Sequence, residues 1–247
     1  MSVQIIVDSS VDVAERFRER LHIVPLIIHF GEEELIDGVT INKEQFYRRL
    51  VESEQLPFTS QASPVAFQKV YEEVTKAGDS AVVITLASKL SGTYQSACIA
   101  AWDFDNIYVV DSQTAAIGAG VLTEYALARA EAGIGARELA SELEQKREDV
   151  CLVALLDTLE YLKRGGRISK TAALAGGLLN IKPMITVRDG EVVLIGKARG
   201  SKQGNSLLVE KIRACGGIDF DLPILLGYSG LSGESLETYV EYSHDLW

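Results

Sequence analysis

The sequence has few cysteines and no long apolar run. Its 247 residues include only three cysteines, Cys98, Cys151 and Cys215, which are far apart and form no CxxC pair. This pattern argues against a disulfide framework or a zinc knuckle and favours free, buried thiols. No basic leader precedes an apolar stretch, and no window approaches the roughly 20 apolar residues of a membrane span. We therefore expect a cytoplasmic protein with no stable membrane insertion.

Several nucleotide-binding and catalytic signatures are also missing. The chain has no GxxxxGK[ST] loop for a nucleoside triphosphate, and Gly118-Ala119-Gly120 lacks the third glycine of a dinucleotide fingerprint. Ser91 stands in KLSGT, not in GxSxG, and the three histidines are scattered along the chain. Nucleotide binding and serine hydrolysis therefore have little support.

Basic residues are concentrated in one segment of an acidic chain. The net charge of −11 argues against nonspecific binding to nucleic acid. Between Lys163 and Lys202, nine basic residues stand against two acidic ones, so this segment carries +7 and the remainder −18. The segment is either a solvated face or a docking patch for an acidic or phosphate-bearing partner.

The first half of the chain alternates apolar, β-branched runs with helical periodicity, which predicts a wound, mostly parallel sheet with helices. The predicted strands are Gln4–Val7, Val24–Phe30, Ala81–Leu86 and Ile107–Val110. The predicted helices start at Pro64 after a Ser63 N-cap, start after the LSGT stretch, and span Ala119–Glu131 and Ala136–Arg147.

The second half predicts a smaller α/β domain. Its expected elements are a strand at Val150–Leu156, helices at Leu159–Lys163 and Thr171–Leu179, a hairpin of Met184–Arg188 and Val192–Lys197, a helix at Ser206–Ala214, a strand at Pro223–Gly227 and a helix at Leu236–Tyr242. We place the domain boundary near Asp149, giving an N-terminal domain of residues 1–149 and a C-terminal domain of residues 150–247.

Two hydroxyl-rich stretches, TSQASP from Thr59 and LSGTYQ from Leu90, each precede a predicted helix. Plain N-capping explains such residues, but a helix N-terminus at the end of a parallel strand also binds anions. The stretch Asp8-Ser9-Ser10 leaves a similar choice between a helix cap and an aspartyl nucleophile. With the other signatures missing, a small, singly charged acid held by neutral donors fits these stretches best.

The order of the motifs identifies a family resemblance. IIVDSSVD, VPLIIHFGEEELIDG, TSQASPVAFQKVY, KLSGTYQSA, VVDSQTAAIGAG, LEYLKRGGRIS and LNIKPMI occur in order between the start of the chain and about Lys202. In this the chain resembles the DegV family of fatty-acid-binding proteins, which includes the carrier subunits of bacterial fatty acid kinase. The resemblance implies a two-domain α/β fold with a long-chain fatty acid, such as palmitate, buried between the domains.

The resemblance also assigns roles to residues. It implies that Thr59 and Ser91 hold the carboxylate and that Gly92 and Thr93 allow close backbone approach. Ser60, Asp8 and Ser9 are further candidates, as neighbours of the head group. It implies a carrier without cofactor or enzymatic activity, whose fatty acid is phosphorylated by a separate kinase. The candidate residues for docking that kinase, or its ATP phosphates, are Lys163, Arg164, Arg167 and Arg199.

Two other interpretations stay open at this point. One is an enzyme that transfers an acyl or phosphoryl group through Ser91 or Asp8, and the other is a regulatory protein that a lipid only stabilises. The chain also departs from the family pattern, because the family's C-terminal segment with a His-x-Gly-Pro-Gly type motif does not follow before Trp247. We therefore expect either that the sequence is truncated or that the pocket closes in another way.

Overall fold

The computed structural model describes residues 2–53, 55–168 and 180–247. The chain divides into two compact units. The first consists of Met1–Val150 with Pro223–Leu225, and the second of Cys151–Leu222 with Leu226–Trp247. The helix predicted at Thr171–Leu179 lies outside the described residues.

The described strands and helices alternate along the first unit and part of the second. The strands are β1 (Val3–Asp8), β2 (His22–Val24), β3 (Ile27–Phe30), β4 (Glu33–Ile36), β5 (Phe58–Ser60), β6 (Ser80–Thr85), β7 (Ile107–Asp111), β8 (Val153–Leu155), β9 (Ile181–Arg188) and β10 (Glu191–Arg199). The helices are α1 (Glu15–Arg18), α2 (Lys43–Glu52), α3 (Pro64–Lys76), α4 (Thr93–Ala100), α5 (Ile117–Glu131), α6 (Ala136–Lys146), α7 (Glu160–Arg164), α8 (Gly200–Ala214) and α9 (Glu234–Tyr242).

A four-stranded parallel sheet forms the centre of the first unit. Its strand order is β2-β1-β6-β7. Successive side chains of β1 point to opposite faces, so Ile5 and Val7 pack with α5 and α6, whereas Ile6 packs with α3 and α4. Both faces are therefore buried, which explains why these strands read as continuous apolar runs.

The start of α3 agrees with its sequence signal. The Ser63 hydroxyl accepts a hydrogen bond from the N–H of Ala66 at 3.2 Å, and Pro64 occupies the first turn. Proline suits this position because its missing N–H has no acceptor in a first turn. The predicted cap of this helix is confirmed.

A second, antiparallel sheet of the first unit was not anticipated. The single strand predicted at Val24–Phe30 is wrong, because the run splits into β2 of the parallel sheet and β3 of a small sheet with order β4-β3-β5. Pro25 has no N–H for a ladder, and the N–H of Leu26 is bound instead by the Ser9 hydroxyl at 3.0 Å. The chain therefore changes sheets at Pro25–Leu26, and α2 packs on the new sheet through Phe46.

The second unit contains an antiparallel sheet of order β10-β9-β8, against which α8 packs. The predicted hairpin is confirmed, with its turn at Asp189 and Gly190, where φ is 51° and 76°. Two consecutive positive φ values match the turn that Asp-Gly favours. The strand predicted at Pro223–Gly227 is wrong, since this stretch has no strand partner among the described residues.

The expectation of three free, buried thiols is also wrong. Cys151 and Cys215, both in the second unit, form a disulfide, and both residues are exposed. Cys98 is free and only partly buried. Of the helices in the described part of the chain, none is long and apolar enough to cross a membrane.

Candidate functional site

The carboxyl end of the parallel sheet gathers buried polar side chains, and Asp8 is the charged residue among them. Asp8 is fully shielded from solvent at the end of β1. One carboxylate oxygen accepts the N–H of Leu86 at 2.8 Å, and the other accepts the N–H and hydroxyl of Ser10 at 3.0 Å and 2.5 Å. Burial raises the pKa of Asp8, and these hydrogen bonds partly offset that rise. Asp8 thus ties the end of β1 to the residue that follows β6.

Ser9 is committed to the local structure in a similar way. Its hydroxyl accepts the N–H of Leu26 at 3.0 Å and donates to a carboxylate oxygen of Asp37 at 2.7 Å. Burial raises the pKa of Asp37, an effect that the hydrogen bond from Ser9 opposes. Ser9 and Asp8 therefore act as internal connections around the sheet end, and their polar atoms already have partners.

Ser91 lies in the loop between β6 and α4. The hydroxyl oxygens of Ser91 and Thr93 are 2.9 Å apart, and the Thr93 N–H donates to the Ser91 oxygen at 3.3 Å. When both Thr93 groups donate to the Ser91 oxygen, the hydroxyl proton of Ser91 remains available to another acceptor. The first-turn N–H groups of α4 lie beside it and favour negative charge.

Thr59 and Ser60 do not lie in the first turn of a helix; they form the end of β5, and α3 starts four residues after Ser60. The Ser60 hydroxyl is 2.8 Å from a ring nitrogen of His29, whose ring stacks on Phe58 with centroids 4.3 Å apart. Thr59 is solvent-exposed, and its hydroxyl has no hydrogen-bond partner among the described side chains. Thr59 is therefore available to a ligand, while Ser60 is held by His29.

Gln61 joins the two hydroxyl-rich stretches, and sequence reasoning missed it. Its side-chain amide donates to the Ser96 hydroxyl of α4 at 2.8 Å, and its amide oxygen lies against Gly92. Gln61 is two residues after Thr59, and Gly92 is next to Ser91. One side-chain contact thereby brings the Thr59 stretch beside the Ser91 stretch. The available signal was its place as third residue of the TSQ motif.

A further loop, residues 112–116, crosses the same sheet end. Ala87 donates its N–H to the Thr114 carbonyl at 2.8 Å, so this loop is fixed to the end of β6. The hydroxyls of Thr85 and Thr114 are buried without a hydrogen-bond partner among the described residues. Ala116 has φ 49° and ψ −123°, a conformation that non-glycine residues rarely adopt. The loop thus has a strained backbone at Ala116, close in sequence to the unpaired hydroxyl of Thr114.

The four candidate docking residues lie in the second unit. Lys163 and Arg164 are on α7, Arg167 follows it, and Arg199 ends β10. Arg164 pairs with Glu160 at 2.6 Å, and a guanidinium nitrogen of Arg167 donates to the Gly165 carbonyl. All four residues are exposed. Their charges are therefore accessible, although those of Arg164 and Glu160 partly cancel.

Neither of two surface grooves in the described part of the chain includes the predicted carboxylate ligands. One groove of about 440 Å³ runs along β7 between Trp102 and Arg137, and another of about 450 Å³ lies beside α2 near Phe30 and Arg49. No cluster of three or more His, Cys, Asp or Glu side chains that could hold a metal ion occurs among the described residues. The groups that Thr59, Ser91 and the start of α4 could offer a ligand are hydroxyls and backbone N–H groups.

Comparison with known proteins gives consistent matches. A family model described as "uncharacterised protein, DegV family" matches residues 2–244. A DegV domain-containing protein of Caldanaerobacter subterraneus is 39% identical over 222 residues, which are 88% of this chain and 79% of that protein.

Two solved structures extend this result to the fold. A Thermus thermophilus DegV family protein, described by its fatty acid binding, is 31% identical with a TM-score of 0.86, covering 100% of this chain and 89% of that one. A Bacillus subtilis DegV, described as a fatty acid binding protein, is 30% identical with a TM-score of 0.76, covering 87% of this chain and 78% of that one. The predicted α/β fold class is confirmed.

Proposed function

This chain belongs to the DegV family, and we propose that it binds a long-chain fatty acid such as palmitate and presents the carboxylate to a partner kinase. The ligand class is that of the Thermus thermophilus and Bacillus subtilis relatives, which are described as binding fatty acids. The proposed carboxylate ligands are the hydroxyls of Thr59 and Ser91. Gly92 and Thr93 would supply the close backbone approach.

The observation that carries this proposal is the contact of Gln61 with Gly92. It supports a shared site because Gln61, two residues after Thr59, contacts Gly92, which follows Ser91 at the N-terminus of α4. A carboxylate removed from water needs several charge-assisted hydrogen bonds, each contributing about 1.5–3 kcal/mol. Two hydroxyls and a helix N-terminus meet that need with neutral donors.

The head group and the tail of the fatty acid contribute differently to the binding free energy. Each buried methylene of the acyl chain contributes about 0.8 kcal/mol, so a long tail contributes more to affinity than the head-group contacts do. The hydroxyls then orient the carboxylate. Neutral donors also leave its oxygens more nucleophilic toward a phosphoryl donor than a bidentate arginine would.

The geometry of Asp8 disfavours the phosphotransferase alternative. An aspartyl nucleophile needs an open carboxylate oxygen in line with the phosphorus, but both oxygens of Asp8 accept hydrogen bonds and the residue is fully buried. Ser91 has Thr93 as its hydrogen-bond partner, and a threonine hydroxyl is no general base at neutral pH. A carrier role suits both residues better.

The kinase partner is proposed to meet the exposed cations of the second unit. Lys163, Arg164, Arg167 and Arg199 are candidates for contacting an acidic docking surface or the phosphates of ATP. Arg199 and Lys163 have the stronger case of these four, because Arg164 is already paired with Glu160.

Native mass spectrometry of the purified chain, followed by denaturing extraction, tests the ligand proposal. We expect about one long-chain fatty acid per chain. Substituting Thr59 and Ser91 together by alanine should lower the fraction of chains that retain the acid and leave the circular dichroism spectrum unchanged. A wild-type chain that takes up no fatty acid, even after incubation with palmitate, would refute the proposal.

A further inference from the structure

Gln61 bridges two elements that carry the proposed carboxylate ligands. Its amide nitrogen donates to Ser96, which is almost fully buried in the first turn of α4, whereas Gln61 itself remains largely exposed. An exposed residue with one neutral hydrogen bond contributes little to global stability. Its removal should therefore leave the fold intact, which makes any effect on the site separable from unfolding.

Gly92 forms the space in which the Gln61 side chain sits. A Cβ atom at Gly92 would lie 2.0 Å from the Gln61 amide oxygen and 2.7 Å from its Cδ. The backbone of Gly92 has φ −72° and ψ 3°, a negative φ that other residues adopt readily. The missing Cβ of Gly92 therefore leaves room for Gln61 in this position, and a larger residue would displace the Gln61 side chain.

From these contacts we infer that Gln61 is a positioning residue, which sets the separation between Thr59 and Ser91 by seating the end of β5 against Gly92 and Ser96. This inference rests on the proposed fatty acid site. Thr59 is two extended residues from Gln61, or about 7 Å along the chain, and Ser91 adjoins Gly92. Without the contact of Gln61 with Gly92 and Ser96, the hydroxyls of Thr59 and Ser91 can still donate hydrogen bonds, but the distance between them is no longer fixed.

If Gln61 positions the hydroxyls, its removal should affect ligands according to their head group. A general structural role for Gln61 would affect all ligands alike. Hydroxyl spacing matters for a ligand with two carboxylate oxygens, and much less for a fatty alcohol with the same tail. Losing one charge-assisted bond out of two corresponds to about a tenfold or greater loss of affinity. We expect that loss for palmitate and not for 1-hexadecanol.

Four delipidated single variants and one double variant test this, with palmitate and 1-hexadecanol as probes in equilibrium binding. Gln61→Ala and Gly92→Ala should each lower the acid-to-alcohol affinity ratio about tenfold. Gln68→Ala is the matched glutamine control, since Gln68 bonds only to Glu72 on the surface of α3 in the described structure. Gly135→Ala is the matched glycine control, because Gly135 also precedes a helix with φ −74° and has no described atom within 4 Å of the added Cβ.

The double variant Gln61→Ala/Gly92→Ala shows whether the two substitutions weaken palmitate binding through the same contact or through separate ones. If both singles act by displacing the same side chain, the double variant is no worse than the weaker-binding single variant. The inference would be overturned if the loss of the acid-to-alcohol affinity ratio in the double variant equalled the product of the losses in the two single variants. It would also be overturned if Gln61→Ala had the same ratio as Gln68→Ala. Failure of the wild type and both controls to bind palmitate would instead refute the proposed function, and the inference with it.

Discussion

The buried carboxylate of Asp8 accepts the backbone N–H of Leu86 at 2.8 Å. This bond connects the end of β1 to the start of the loop that leads to Ser91. Because Asp8 is fully buried, its ionisation state is coupled to folding as well as to the shape of that loop.

Asp8 and Asp79 should give opposite pH dependences of stability. Burial raises the pKa of Asp8 above its ordinary value of 3.8, so the folded chain binds this proton more tightly than the unfolded chain does. Its stabilising contribution is therefore full below about pH 4 and declines as the pH rises through the folded pKa. We expect the unfolding free energy of wild type minus that of Asp8→Asn to fall as the pH rises above the ordinary value of 3.8.

Asp79→Asn is the control of opposite sign. Hydrogen bonds from Ser2 and Gln4 lower the pKa of Asp79, so its contribution is present above the unfolded pKa and is lost as the pH falls. Asp79 is partly exposed, and the effect should be small. Urea denaturation across the pH range measures both differences, and a pH-independent value for Asp8→Asn would contradict the coupling.

Gly120 on α5 should not tolerate alanine. An added Cβ would lie 1.8 Å from the backbone carbonyl oxygen of Asp12, in a segment that is itself hydrogen-bonded to Ala116. The backbone cannot move aside as a flexible side chain can, so we expect Gly120→Ala to lower the free energy of unfolding by about 1–3 kcal/mol. Gly135→Ala meets no such clash and should have a smaller effect, limited to the weaker helix capping of alanine relative to glycine. Equal values for the two variants in chemical denaturation would rule out the steric argument.

Oxidation state should affect the stability of the second unit. Cys151 and Cys215 are 64 residues apart, and closing such a loop restricts the unfolded chain. Reduction with dithiothreitol is expected to remove about 2–4 kcal/mol of stability. The Cys151→Ser/Cys215→Ser variant should show the reduced stability with or without reductant. Identical melting of oxidised and reduced wild type would show that the bond has no stabilising role.

Much of the parallel sheet and its helices could be predicted from sequence. The runs at Ala81–Leu86 and Ile107–Val110 are apolar and uninterrupted because both sheet faces are covered, and Ser63-Pro64 marks the start of α3 by its own chemistry. Such signals are local, so one sequence suffices to read them.

The features that were missed depend on partners distant in sequence. The three-residue strand β5 exists because β3 pairs with it, and its residues Phe58–Ser60 carry no periodicity of their own. In the sequence, the apolar residues from Val24 to Phe30 resemble one strand. In the structure, the N–H of Leu26 donates to the Ser9 hydroxyl, and the chain changes sheets there. The pairing of Cys151 with Cys215 and the contact of Gln61 with Gly92 have no local signature either.

Charge reversal should separate docking from ligand binding. Lys163→Glu/Arg199→Glu is expected to slow acyl-phosphate formation by a bacterial fatty acid kinase with ATP, by about tenfold at low salt, because electrostatic attraction accelerates encounter. The bound fatty acid should be unaffected. Lys69→Glu/Lys76→Glu on α3 is the control with the same change of charge. Equal rates for both double variants would exclude the docking assignment.

Carbon-13 NMR of palmitate labelled at its carboxyl carbon reports on whether Thr59 and Ser91 hold the carboxylate of the bound fatty acid. We expect a bound resonance, distinct from free palmitate, that shifts in Thr59→Ala and in Ser91→Ala. The same resonance should be unchanged in Ser63→Ala, which removes only the α3 cap. If the bound resonance is the same in wild type, Thr59→Ala and Ser91→Ala, these two hydroxyls do not hold the carboxylate.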